Sequence, residues 1–181
     1  ACLAREMQSR GTLGGDAVVG TVMTNGGIEP FLSGLGLQIH RTAVGDRYVL
    51  ERMRQEGLNL GGESSGHILM TSLSTSGDGL IAALQMLHLL SRNEQPASRL
   101  FRAFVPRAQK LVNLEGIDPA ILTRPTMVDQ LAAIEAKATD VTRILVRPSG
   151  TQSLIRVMVE ADDEATLDAI MQEIILLVEA E

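Results

Sequence analysis

The chain has 181 residues, of which 45% are hydrophobic and 2% aromatic, with a formal net charge of −6. This balance fits one large or two small globular domains and excludes a disordered polymer. The only rings, Phe31, Tyr48, Phe101 and Phe104, are too few for recognition by base stacking. Residues 1–107 hold 10 Lys+Arg against 9 Asp+Glu, and residues 108–181 hold 6 against 13. The acidic second half argues against general nucleic-acid or membrane-surface binding.

In chain order, the opening "ACLAREMQSRG" reads as an amphipathic helix met in its middle, without an initiator Met, as expected of a piece of a longer protein. "AVVGTVM" (17–23) has strand length and β-branched residues; "IEPFLSGLG" (28–36) reads as a helix closing on Gly; "LQIHRTAV" (37–44) is a second strand. "GDRYVLERMRQEG" (45–57) is a helix with Tyr48, Val49, Leu50 and Met53 on its apolar side and a Gly stop. "LNLGGE" (58–63) begins a third strand, and "SGDGLIAALQMLHLLSR" (76–92) is the strongest helix, capped by Ser76 or Asp78 and broadly apolar. Strands alternating with helices imply β-α-β units and a largely parallel sheet.

A polar break, "NEQPAS" (93–98), then precedes a short helix, "SRLFRAF". The second half reads strand "KLVNLEG", helix 126–138, strand "RILVRP", a Ser-Gly-Thr turn, strand "LIRVMVEA" and a last helix from Asp163. It is a small α+β unit with antiparallel strands around the turn. Domains are expected at 1–96 and 109–181, with 97–108 as a linker. The lone Cys2 allows no intrachain disulfide and points to a reducing, cytoplasmic setting. No run approaches the ~18 apolar residues of a membrane span, and no signal peptide is visible.

Two stretches carry chemistry. "NLGGESSGHIL" (59–69) surrounds Glu63, Ser64, Ser65 and His67 with Gly61, Gly62 and Gly66. A tight turn between strands fits it, and so does a loop that lets a ligand approach the backbone. His67 in such a loop can exchange a proton with a substrate hydroxyl, whereas His40 and His88 sit in apolar or helical runs and read as packed or surface residues. "VRPSGTQSLIRV" (146–157) sets Arg147, Ser149, Gly150, Thr151 and Arg156 around a turn. Backbone N–H groups, hydroxyls and guanidinium forks suit a phosphate monoester; a hairpin with solvated arginines is the plain alternative. Asp46 and Arg47 begin a helix, where anions are also favoured, although Gly-Asp there is ordinary capping.

"VVGTVMTN", "AVGDRYV", "NLGGESSGHIL", "TSGDGLIAALQML" and "LVRPSGTQSLIRVMVEA" together resemble, in order, motifs of bacterial phosphoglucosamine mutases of the α-D-phosphohexomutase superfamily. The resemblance covers almost the whole chain and corresponds to the third and fourth of that family's four domains. It implies a three-layer α/β domain with a mixed sheet, followed by a small α+β domain whose antiparallel sheet packs on helices. It further implies an isomerase interconverting glucosamine 6-phosphate and glucosamine 1-phosphate on the route to UDP-N-acetylglucosamine and the cell wall. Glu63 and Ser65 become ligands of sugar hydroxyls and His67 a candidate proton carrier. Arg147, Ser149, Gly150, Thr151 and Arg156 become the clamp of the non-reacting phosphate. Asp46 and Arg47 fall in a loop lining the same cleft, Arg47 as a second catalytic candidate. Ser64 stands where the family usually has Gln, and Gln152-Ser153 where it has Glu-Pro. The family's phosphoryl-carrying serine and its Asp-Gly-Asp-x-Asp-Arg Mg²⁺ loop have no counterpart in the sequence. The implied partners are a hexosamine phosphate and the N-terminal half of the same protein, with no metal ligands in this chain. Alone, the chain is expected to be catalytically inert.

Overall fold

The computed structural model describes residues 1–138, 143–150 and 152–180. It divides into two compact units, residues 1–106 and 107–181.

The first unit is built on a four-stranded sheet in the order β2-β1-β3-β4, with β1 Ala17–Thr21, β2 Gln38–Thr42, β3 Leu60–Gly62 and β4 Ile68–Met70. β1 runs parallel to both β2 and β3, whereas β3 and β4 form an antiparallel hairpin. The sheet is therefore mixed. Side chains alternate across it. Val18, Leu60 and Met70 face α1 (Cys2–Ser9) and α2 (Ile28–Gly34), meeting Leu3, Met7, Ile28 and Leu32. Ala17, Val19 and Leu69 face the opposite way, onto Val49 and Met53 of α3 (Asp46–Glu56). This makes three layers, and each fully buried Leu, Val or Met contributes about 1.5–3 kcal/mol. α3 ends where the sequence places its stop: Gly57 is left-handed (φ 68°) and its N–H donates to the Met53 carbonyl.

α4 (Gly79–Ser91) is capped by Asp78, whose Oδ1 accepts from the N–H groups of Leu80 and Ile81 at 2.8 and 3.1 Å. Its apolar surface is not all used. Ala82 and Leu89 are buried, while Leu80, Leu84 and Leu87 are 70, 54 and 60% exposed. The short α5 (Ala97–Leu100), within the segment expected as a linker, places Leu100 against Cys2 and Leu89.

In the second unit β5 (Ala108–Glu115), β7 (Leu154–Ala161) and β6 (Arg143–Pro148) form an antiparallel sheet with β7 central. Ile155, Val157, Val159 and Ala161 pack on Leu167, Met171, Ile174 and Val178 of α7 (Glu164–Glu179) and on Met127 and Ile134 of α6 (Pro125–Lys137). α7 starts at Asp163, whose side chain accepts from the Thr166 N–H at 2.8 Å. That capping bond holds the Asp163 carboxyl below its ordinary range. A 3₁₀ turn at Pro119–Thr123, absent from the sequence expectations, enters α6.

Candidate functional site

Parallel pairing puts the carboxyl ends of β1, β2 and β3, at Thr21, Thr42 and Gly62, on one edge of the first sheet. Ligands of open α/β sheets gather at such an edge. A cavity of about 330 Å³ opens there, floored by Ile28, Ile39, Leu60 and Ile68, with Thr24, Asn25, Glu63, Ser64 and His67 as its polar residues. An apolar floor with a few polar groups is the usual make-up of a small-molecule site.

The polar wall is the turn of the β3–β4 hairpin. Glu63 N–H donates to the His67 carbonyl at 2.9 Å, and Gly66 N–H to the Glu63 carbonyl at 3.1 Å. Gly66 takes φ +99°, so the loop of residues 64–66 closes through a left-handed glycine, as three-residue hairpin loops do. Gly61 is required for another reason. A Cβ there would lie 2.6 Å from Met53 Sδ and 2.7 Å from Val49 Cγ1, so the glycine lets α3 sit directly on β3. The stretch is thus a tight turn between two strands and, at once, the wall of a cavity.

Within the turn the side chains are linked. Glu63 Oε1 accepts from the Gly45 N–H at 2.6 Å, and its Oε2 accepts from Ser65 Oγ at 2.9 Å. Ser65 Oγ also lies 3.0 Å from His67 Nδ1. The carboxylate therefore ties the β2–α3 loop to the hairpin, and each of its oxygens keeps capacity for a further donor.

Glu63, Ser65 and His67 are thus brought together. Asp46 and Arg47 lie elsewhere. They line a different cavity with Leu50, Glu51 and Arg54; Asp46 accepts from the Arg47 N–H at 2.8 Å, and the Arg47 guanidinium lies 5.6 Å from the Tyr48 ring centre. Sequence reasoning missed Thr24 and Asn25, in the loop after β1. Arg41 of β2 anchors that loop, donating to the Thr24 carbonyl at 3.1 Å and to Glu29 Oε1 at 2.6 Å. The available signal was positional: a loop after a central parallel strand belongs to the site edge.

In the second unit Arg147 and Arg156 are direct cross-strand partners, on the sheet face opposite the α7 core. Asn113 of β5 is the partner of Arg156 on its other side. Among the described residues neither arginine pairs with a carboxylate, although Arg143, at the far end of the same face, lies 3.4 Å from buried Glu160. Burial, with a smaller contribution from Arg156, depresses the Arg147 pKa. Among the described residues the buried Arg156 Nε has no hydrogen-bond partner. The hairpin closes through Ser149 N–H to the Leu154 carbonyl at 2.9 Å. Among the described residues nothing lies within 4 Å of where a Cβ on Gly150 would sit. Thr151 lies outside the described residues. Among the described residues no three His, Cys, Asp or Glu side chains gather as a metal-binding set. Nor is any described helix long and apolar enough to cross a membrane.

An α/β unit with a polar hairpin at its strand ends, joined in sequence to a small α+β unit with paired arginines, matches one family in both parts. The chain belongs to the phosphoglucomutase/phosphomannomutase family, residues 1–108 matching its alpha/beta/alpha domain III and residues 100–177 its C-terminal domain. It is similar to the phosphoglucosamine mutases of Paracoccus denitrificans (strain Pd 1222), 50% identical over 182 residues, and Rhodospirillum rubrum, 47% identical over 182 residues. Each comparison takes in 99% of this chain and 40% of the relative, so the chain spans about two-fifths of the length of these curated relatives. Among solved structures, an N-acetylglucosamine-phosphate mutase in a product complex superposes with a TM-score of 0.81 at 18% identity, over 98% of this chain and 42% of that one. An Aspergillus fumigatus N-acetylphosphoglucosamine mutase in complex with GlcNAc-6P and magnesium gives 0.77 at 16% identity, over 99% and 42%. At these identities the solved structures speak for the fold.

Proposed function

We propose that the chain supplies sugar recognition and the phosphate clamp of an enzyme interconverting glucosamine 6-phosphate and glucosamine 1-phosphate. The observation that carries this reading is the hydrogen-bonded set Glu63, Ser65 and His67, of which Glu63 and His67 line the strand-end cavity. Glu63 and Ser65 bind sugar hydroxyls, and His67 is the group able to move a proton there. Asp46 and Arg47 remain candidates at the neighbouring helix start. Arg147, Ser149, Gly150, Thr151 and Arg156 hold the phosphate that does not react, and the like-charged pair Arg147–Arg156 supports this because an anion relieves its repulsion. The similarity to phosphoglucosamine mutases supports a hexosamine phosphate as substrate.

The phosphoserine, the bisphosphate intermediate and the Mg²⁺ that neutralises phosphoryl charge belong in this reading to the N-terminal half of the full-length enzyme. A cytoplasmic setting suits the single buried thiol of Cys2. A second reading, a phosphoglucose or phosphomannose mutase, draws on Ser64, which lines the cavity where the longer Gln is usual.

Calorimetric titration of the chain with glucosamine 6-phosphate, glucose 6-phosphate and mannose 6-phosphate tests the assignment. Tightest binding of the amino sugar, with the preference lost in Glu63→Ala, is the expected result. Equal binding of all three, or a preference untouched by the substitution, overturns it.

A further inference from the structure

The three side-chain hydrogen bonds of the hairpin turn fix more than geometry. An ionised carboxylate only accepts, and a serine hydroxyl has one proton to give. Gly45 N–H holds Glu63 Oε1, leaving Oε2 directed at Ser65 Oγ, 2.9 Å away. If the Ser65 proton pointed instead at the imidazole, two oxygens would face each other across 2.9 Å with no proton between them. The hydroxyl therefore donates to Glu63. The same Oγ lies 3.0 Å from His67 Nδ1, and with its proton committed it is an acceptor there. His67 must then supply the proton of that contact, from Nδ1. A neutral imidazole carries one N–H, so the lone pair falls on Nε2.

We infer that Ser65 is a positioning residue: anchored by Glu63, it holds neutral His67 as its Nδ1–H tautomer, leaving Nε2 as the nitrogen that accepts a proton. Imidazole free in water favours the opposite tautomer, so the turn reverses an intrinsic preference. Resting on the sugar-site reading above, the inference gives His67 a direction. In the neutral state it is a base through Nε2. Once Nε2 takes a proton, the ring keeps its Nδ1–H bond to Ser65 and can return that proton as an acid. A hydroxyl suits the place between Glu63 and His67 because it donates on one side and accepts on the other, and so passes the carboxylate's preference to the ring.

The test is two-bond ¹H–¹⁵N correlation of the imidazole nitrogens in the ¹⁵N-labelled chain, at about pH 8.5, above the ordinary histidine range near ~6.5. The chain has 3 histidines, and the His67 signals are identified by their loss in His67→Gln. The expected result is a protonated-nitrogen shift on Nδ1 and a lone-pair shift on Nε2 in the parent chain, reversed in Ser65→Ala and kept in Ser65→Thr. An Nε2–H tautomer in the parent chain overturns the inference without any variant, as does an Nδ1–H tautomer that survives in Ser65→Ala. Adding glucosamine 6-phosphate then separates the two claims. His67 signals that ignore a saturating ligand overturn the sugar-site reading while leaving the tautomer assignment standing. A wrong tautomer with clear ligand shifts does the reverse.

Discussion

The two hairpins at the heart of the account treat charge in opposite ways. In the β3–β4 hairpin the one carboxylate, Glu63, already has a donor on each oxygen, from Gly45 N–H and Ser65 Oγ. In the β6–β7 hairpin two arginines, Arg147 and Arg156, are cross-strand partners, and among the described residues no carboxylate answers either. The first is a satisfied polar network, preorganised in the free protein, whose ligand adds to bonds already made. The second places like charges on neighbouring strands, which is destabilising until an anion arrives. The glycines differ in the same sense. Gly61 is demanded by the protein's own packing, whereas a Cβ on Gly150 would meet nothing among the described residues.

The largest effect expected on that contrast is at Arg147. Losing one charged hydrogen-bonding partner costs roughly 1.5–3 kcal/mol, so Arg147→Ala should weaken phosphate binding about ten- to a hundred-fold in calorimetry. Urea unfolding of the same variant should show stability unchanged or raised, since a repulsion is removed. A large stability loss would make the arginine structural. Gly61→Ala should act in reverse, costing about 1–3 kcal/mol of stability by overpacking Val49 and Met53, read from the urea midpoint, with phosphate affinity unmoved. Gly66→Ala should cost less, roughly 1 kcal/mol, because its left-handed φ is strained by a side chain but nothing crowds the added carbon.

The smallest expected effect lies away from both hairpins, where His40 Nδ1 pairs with Glu56 and Arg52 lies 2.6 Å from the other Glu56 oxygen. The His40 hydrogen bond, ahead of the others, holds the Glu56 carboxyl below its ordinary 4.5. A carboxylate with a lowered folded-state pKa stabilises the fold above its unfolded value and loses that contribution as pH falls through the folded one. Glu56→Gln should therefore melt slightly below the parent chain near neutral pH, the gap closing as pH drops below 4.5. A gap that stays open well below pH 4.5 would refute the assignment.

Much of this was legible in the sequence because it rests on local pattern. The alternation of strand and helix, the Gly57 stop and the Asp78 cap all depend on residues within a few positions of one another. β4 was not legible. Three residues, Ile68–Met70, are too few to show alternation, and their strand character comes from pairing with β3. The exposed Leu80, Leu84 and Leu87 show a related gap: hydrophobicity marks an apolar helix face but not what lies against it. Within the site, the residues of the two quoted turns could be named because their neighbours in sequence are neighbours in space. Thr24 and Asn25 carry only the positional signal of a loop after a central strand, and Gly45 not even that, since strand order brings their loops to the Glu63 turn. Asp46 and Arg47 were legible as a helix start, but which side of α3 they face is decided by how that helix lies on the sheet.

The contrast between a satisfied and an unsatisfied hairpin is tested most directly by following the backbone amides of the chain during titration with inorganic phosphate. The net charge of −7 (6 minus 13) on residues 108–181 opposes long-range attraction, so only a local clamp can hold the ion. Millimolar-class affinity, about −4 kcal/mol, is expected. The account predicts saturable shifts confined to residues 147–156 and abolished in Arg147→Ala, with residues 59–69 silent. Saturable shifts centred on the Glu63 turn, or none anywhere at high phosphate, would contradict it.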